Sequence, residues 1–169
     1  MKIALAMAGG GVKGAAHIGL IKALQEENIE ISSISGTSIG SIVAALYALG
    51  YTPEEMLRLF KYFAKELFKA DGKYLVNNMK QRKGIIGLGA WSGQKIEDAI
   101  TQCAKMKEKQ NLADLEIPVR IPTVDILNGE KYVCTNYCLG GKNEIQDISI
   151  GKAVRASASY PRGVCTMHI

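Results

Sequence analysis

No stretch of the 169 residues holds the roughly 18–20 consecutive apolar side chains that a membrane-crossing helix needs. The apolar run after Lys2 is also shorter than the roughly 7–15 residues of a secretion-signal core, although Ala6-Met7-Ala8 imitates a cleavage site. The expectation is a cytoplasmic protein that touches membranes, if at all, only peripherally. Histidine is scarce, with only His17 and His168. The four cysteines, Cys103, Cys134, Cys138 and Cys165, form no CxxC pair, and Cys134 and Cys138 with Cys165 and His168 fit no familiar zinc spacing. Free thiols and no metal are expected. Dense Lys/Arg runs with interleaved aromatics are missing, which argues against a nucleic-acid partner. The net charge of +5 serves solubility and gives a mild attraction to anionic surfaces. An apolar fraction of 47% with 22% charged residues excludes global disorder, and no repeat, low-complexity stretch or linker divides the chain.

The order of elements points to an α/β protein with a largely parallel central sheet flanked by helices. Lys2–Ala8 reads as a buried strand, followed by the loop Gly9-Gly10-Gly11-Val12-Lys13-Gly14, which has too many glycines for a regular element. Ala15–Asn28 reads as a helix with Ile18, Leu20, Ile21 and Leu24 as its apolar face. Ile29–Ser35 alternates as a second strand, and Ser41–Leu49 is apolar all round, as a buried helix is, with Gly50 as its stop. Thr52-Pro53-Glu54-Glu55 starts a helix to about Lys69 with a capping box. Asp71–Gly89 reads as loop, and Ser92 as the cap of a helix from Gly93 to about Lys107. Ile117–Val124, with Pro118 and Pro122, reads as an edge or interrupted strand. Asn128-Gly129 turns it toward Lys131–Thr135, and Ser149–Ser157 reads as a short helix.

Two features fall beyond the C-terminal ends of the first two strands, where ligands bind in such folds. The first is the glycine loop. Its Gly9-x-Gly11-x-x-Gly14 pattern suits a dinucleotide site, but that site wants an acidic residue at the end of the second strand, where Ser35-Gly36 stands. A phosphate-binding P-loop fails because Lys13 precedes Gly14. Backbone N–H groups converging at a helix N-terminus make an anion site, and it suits the oxyanion of acyl transfer as well as a phosphate. A tight packing turn is the plainer alternative. The second feature is Gly36-Thr37-Ser38-Ile39-Gly40, a G-x-S-x-G turn between strand and helix. Such an elbow thrusts its serine hydroxyl into the site, and Ile39 N–H joins the oxyanion donors. The alternative is that Ser38 only caps the following helix.

A histidine to activate Ser38 is hard to find. His17 precedes the serine on the first helix, where it packs or faces solvent, and His168 is the penultimate residue. A carboxylate acting directly as general base is the better hypothesis.

Three segments in this order resemble the patatin-like phospholipase family. Gly9–Gly14 looks like its oxyanion loop, with Lys13 where arginine is more usual. Ser35–Ser41 looks like its nucleophile elbow, and Ala153-Val154-Arg155-Ala156-Ser157-Ala158-Ser159-Tyr160-Pro161 like the segment shortly before its catalytic aspartate. Weaker likeness covers Leu112–Glu130. The resemblance implies the family's three-layer fold over residues 2–161, incomplete at its C-terminus, with 162–169 as a divergent tail. It implies a serine hydrolase of lipid or phospholipid esters that uses a Ser–Asp dyad and no cofactor. Ser38 would be the nucleophile; Gly9, Gly10, Gly11, Val12, Lys13, Gly14 and Ile39 would form the oxyanion hole, and Gly36, Thr37 and Gly40 the elbow. The family's Asp-Gly-Gly or Asp-Gly-Ala motif is absent: Arg162–Ile169 holds no acidic residue, and Asp71-Gly72 comes far too early. Asp125 belongs to a strand–turn region and is read as structural. The base is therefore unassigned, and impaired activity and marginal stability are expected. A non-catalytic lipid- or protein-binding remnant of the family is the alternative, ahead of a nucleotide-binding α/β domain.

Overall fold

The computed structural model describes residues 1–67 and 93–159. In chain order these form β1 (Lys2–Met7), a 3-10 turn (Gly11–Gly14), α1 (Ala15–Glu26), β2 (Glu30–Gly36), α2 (Ile39–Ala48) and α3 (Pro53–Leu67). Residues 93–159 contribute α4 (Gln94–Met106), a 3-10 turn (Leu112–Asp114), β3 (Val119–Val124), β4 (Lys131–Thr135), β5 (Glu144–Ile145) and α5 (Ile150–Ala158). The strands form one five-stranded sheet in the order β1-β2-β3-β4-β5, and every neighbouring pair is parallel except β3 with β4. The expected α/β architecture with a largely parallel sheet is present. The loop of Asp71–Gly89, the Ser92 cap and Tyr160–Ile169 lie outside the described residues.

The core is built around α2. Ile39 through Leu46 are all buried, and Val43, Ala44 and Ala45 are completely so. Ile21, Val119, Ile121, Ile150 and Val154 surround the same centre, and each such burial is worth about 1.5–3 kcal/mol. α2 ends where Gly50 stands: Gly50 N–H donates to the Tyr47 carbonyl at 2.9 Å and Tyr51 N–H to Leu46 at 3.1 Å. The capping box of α3 forms as expected. Thr52 N–H donates to Glu55 Oε2 at 2.8 Å, and Glu55 N–H to Thr52 Oγ1 at 3.2 Å.

Four expectations need correction. β1 is not a buried strand: it has a neighbour on one side only, among the described residues, and only its last residue, Met7, is buried. Leu20 is exposed, because the buried face of α1 runs through Ile18, Ile21 and partly buried Leu24. The glycine loop is not wholly irregular, since Gly11–Gly14 closes into one 3-10 turn that runs directly into α1. β3 is not an edge strand but lies between β2 and β4. Its prolines are tolerated because of which way they face. The Pro118 carbonyl accepts from Ile34 N–H of β2 at 2.9 Å, so Pro118 faces that side of the strand, and the two-residue alternation of a strand turns Pro122 the same way. β2 pairs with β3 only through Ile34–Val119 and Ser35–Arg120. Beyond that point no strand among the described residues would use a Pro122 N–H, and the missing donor costs nothing in the described ladder.

α5 docks by close approach and by charge. A Cβ on Gly151 would lie 2.8 Å from the Glu97 carbonyl of α4. Arg155 pairs with Glu97 at 2.8 Å and donates to Gln94 Oε1 at 2.9 Å. The far end of the sheet carries a second charged device. Glu144, with its side chain 5% exposed, accepts from Arg120 Nη2 at 2.6 Å, Cys138 Sγ at 2.9 Å, Leu139 N–H at 3.0 Å and Gly141 N–H at 3.2 Å. The Cys138 thiol and then the Arg120 guanidinium do most to hold this carboxyl at about 2, against an ordinary 4.5.

A carboxyl with a lowered folded pKa stabilises the protein above its unfolded value and loses that contribution as pH falls. Urea unfolding of Glu144→Gln should therefore show lower stability than wild type at neutral pH, and the gap should close between pH 4.5 and about 2. A gap that stays constant with pH would show that the charge is not what matters. Thr52→Ala should lower stability by about 1 kcal/mol through loss of the cap.

Candidate active site

β1 and β2 run parallel, with Met7 paired to Gly36, so the glycine loop and the Ser38 turn leave the same edge of the sheet. The turn between β2 and α2 is sharp. Ser38 sits at φ 54°, ψ −121°, a backbone region that residues with a Cβ rarely adopt and that costs about 1–3 kcal/mol. Gly36 and Gly40 make the bend feasible. A Cβ on Gly36 would collide with the Gly40 carbonyl, and one on Gly40 would lie 2.6 Å from the Met7 carbonyl oxygen and 2.9 Å from that of Ala8. The bend is tied to β1 by Thr37 N–H, which donates to the Met7 carbonyl at 3.0 Å.

Serine hydroxyls hold both backbone groups of Ser38. Its carbonyl accepts from Ser41 Oγ at 2.5 Å and from Ser41 N–H at 2.9 Å. Its N–H donates at 3.1 Å to Ser157 Oγ, on α5. The Ser157 hydroxyl in turn donates to the Pro122 carbonyl of β3 at 2.7 Å. The Ser38 hydroxyl itself enters no hydrogen bond among the described residues.

The glycine loop lies beside this hydroxyl. A Cβ on Gly9 would fall 3.3 Å from Ser38 Cβ and 4.0 Å from Oγ. Among the described residues, the N–H groups of Gly9, Gly10, Gly11 and Val12 meet no acceptor, whereas Lys13 N–H closes the turn onto the Gly10 carbonyl at 3.3 Å. Ile39 N–H at the start of α2 is also without an acceptor, while Gly40 N–H is taken by the Thr37 carbonyl at 2.9 Å. Gly9, Gly10, Gly11, Val12 and Lys13 are exposed; Gly14 is buried against the Ile39 side chain. Free donors at two helix starts, beside an unpaired hydroxyl, suit a group that develops negative charge on oxygen.

The other candidates fall elsewhere. His17, on α1, donates through Nε2 to the Ala8 carbonyl at 2.9 Å and so braces the entry to the glycine loop. Asp125 serves its own turn: its Oδ1 accepts from Leu127 N–H at 2.9 Å and its carbonyl from Gly129 N–H at 2.8 Å. The ribose-binding carboxylate of a dinucleotide site is missing, because the acidic residue of β2, Glu30, stands at the opposite end of the strand, paired with Lys2 at 2.9 Å. Sequence reasoning left Ser157, Ser41 and the brace from His17 unassigned. No periodicity or spacing marks a serine on a helix as the partner of an amide 119 residues away.

Since a methyl at Gly36 has no room, Gly36→Ala should cost about 3 kcal/mol of stability. The urea midpoint measures this, and a change under about 0.5 kcal/mol would mean that the elbow is looser than its geometry indicates.

Residues 5–163 match the family described as patatin-like phospholipase. The YqhO protein of Bacillus subtilis is 31% identical over 156 residues, covering 90% of this chain and 54% of that protein. Lysophospholipase NTE1 of Kluyveromyces lactis is 47% identical over 62 residues, covering 37% of this chain and 4% of that protein. VipD from Legionella pneumophila superposes with a TM-score of 0.56 at 15% identity, over 95% of this chain and 43% of its own, a likeness of fold. The chain thus spans about half of YqhO and a small part of NTE1. A match that takes in the glycine loop, the strained serine turn and the sheet between them shows that the chain belongs to the patatin-like phospholipase family, a family of lipid hydrolases.

Proposed function

We propose that this chain carries the nucleophile and oxyanion half of a serine lipid acyl hydrolase. The observation that carries the reading is the strained Ser38, its hydroxyl set beside a row of N–H groups and, like them, without a hydrogen-bond partner among the described residues. Ser38 Oγ attacks the carbonyl of a lipid ester and its proton passes to a general base. The oxyanion settles among the N–H groups of Gly9, Gly10, Gly11, Val12 and Ile39, the alcohol leaves, and water then cleaves the acyl-serine. Lys13, exposed beside the loop, adds positive charge, and Gly14 lets the loop close onto Ile39. Gly36, Thr37 and Gly40 serve the bend.

Among the described residues no carboxylate hydrogen-bonds to Ser38. The 169 residues also hold no Asp-Gly-Gly or Asp-Gly-Ala motif. The stretch by itself therefore reacts slowly, by a factor of roughly 10²–10⁴ relative to a site with its base in place. Substrate is met at a membrane surface: Val12 is 59% exposed at the mouth of the site beside Lys13, although no helix among the described residues is long and apolar enough to cross a bilayer. The free thiols of Cys103, Cys134 and Cys138 suit a cytoplasmic setting.

Fluorophosphonate labelling of the folded 169-residue chain tests this reading. Slow labelling that disappears in Ser38→Ala is expected. Labelling as fast as that of a complete serine hydrolase would overturn the impairment. No labelling of a folded chain would overturn the nucleophile and favour a non-catalytic lipid-binding role.

A further inference from the structure

Ser157 belongs to the machinery of this site although it lies far from it in sequence. We propose that Ser157 is a positioning residue that holds the nucleophile in its strained conformation through the backbone, an inference that rests on Ser38 being the nucleophile. A backbone at φ 54°, ψ −121° persists only where its surroundings over-determine it. The carbonyl of Ser38 is held locally, by Ser41 within the same turn. Its N–H finds its acceptor on α5.

A hydroxyl has one proton and two lone pairs. Ser157 gives its proton to the Pro122 carbonyl at 2.7 Å, which leaves its lone pairs to receive Ser38 N–H at 3.1 Å. The bond to Pro122 therefore fixes the rotamer of Ser157 and aims its acceptor at the elbow. Pro122 offers its carbonyl because β2 has stopped pairing with β3 by that point. Ser157 is a rigid anchor: Ala153 and Val154 of its helix are fully buried, and Arg155 ties the helix to Glu97 and Gln94. The same bond keeps Ser38 N–H out of the oxyanion site, so the donors left for the oxyanion come from the glycine loop and Ile39.

The test compares Ser157→Ala and Ser157→Thr with wild type in the full 169-residue chain, after each is shown to fold. Two readouts are taken: hydrogen exchange at the Ser38 amide, and the fluorophosphonate reaction separated into its maximal rate and its half-saturating concentration. Ser157→Ala should speed exchange at Ser38 and lower the maximal rate about 10- to 100-fold with little change in half-saturation, since a small misplacement of a nucleophile costs that much. Ser157→Thr, which keeps the hydroxyl, should restore both. Unchanged exchange in Ser157→Ala overturns the proposal, as does a melting temperature that falls while the labelling rate stays at wild type. If wild type does not label, the reading of Ser38 as nucleophile fails, and the exchange result alone decides whether Ser157 clamps the turn.

Discussion

The rest of the molecule depends on one close approach, that of Gly40 to the carbonyls at the end of β1. A Cβ on Gly40 would lie 2.6 Å from the Met7 oxygen, which leaves no room for a methyl, so the first turn of α2 lies directly on the end of β1. That contact sets where α2 points into the core and how sharply the chain must bend after β2. It also sets how near Ser38 comes to Gly9. The strain at Ser38 is the consequence of this packing, and the buried apolar shell around α2 is what offsets it. A looser approach would relax the backbone and move the hydroxyl away from the N–H row.

The local shape of both turns could be read from the sequence, because each rests on glycines whose need is local. Gly36 and Gly40 leave room for a bend, and Gly9–Gly14 leave backbone donors uncovered; neither depends on the rest of the chain. The capping box of Thr52 and Glu55 was legible for the same reason. Pro118 and Pro122 were misleading, because the penalty of a proline in a strand depends on which neighbour its missing N–H would have served. That neighbour, β2, stops short, and only the pairing register shows it. Leu20 was misjudged because one turn of a helix offers two adjacent faces, and the choice between them is made by what packs there. Ser157 stands in a segment that resembles the family's and His17 reads as packing or facing solvent, yet the bond of neither could be foreseen, since a side chain that binds a distant backbone group looks in sequence like any other polar residue.

The site is also assembled from elements with different demands. The glycine loop must stay open, with exposed residues and free donors, while the elbow must be immobile. The fold separates these needs by placing the loop at the end of β1, the outermost strand among the described residues, and the elbow over the core. His17 couples the two only at the loop's entrance, through the Ala8 carbonyl, and leaves Gly10–Val12 unencumbered.

The bond from Ser38 to Ser157 spans 119 residues, and this gives the site an order in time as well as in space. During synthesis β1, the glycine loop and the elbow emerge first, with α2 and its apolar surface close behind. The helix that secures the elbow amide and the strand that anchors it come much later. Until then the nascent chain carries a bend without its clamp from α5 and an apolar helix that is only partly covered. The geometry of the Ser38 turn is thus completed only when the late elements have docked, so the bend takes its final form last although its residues are made first.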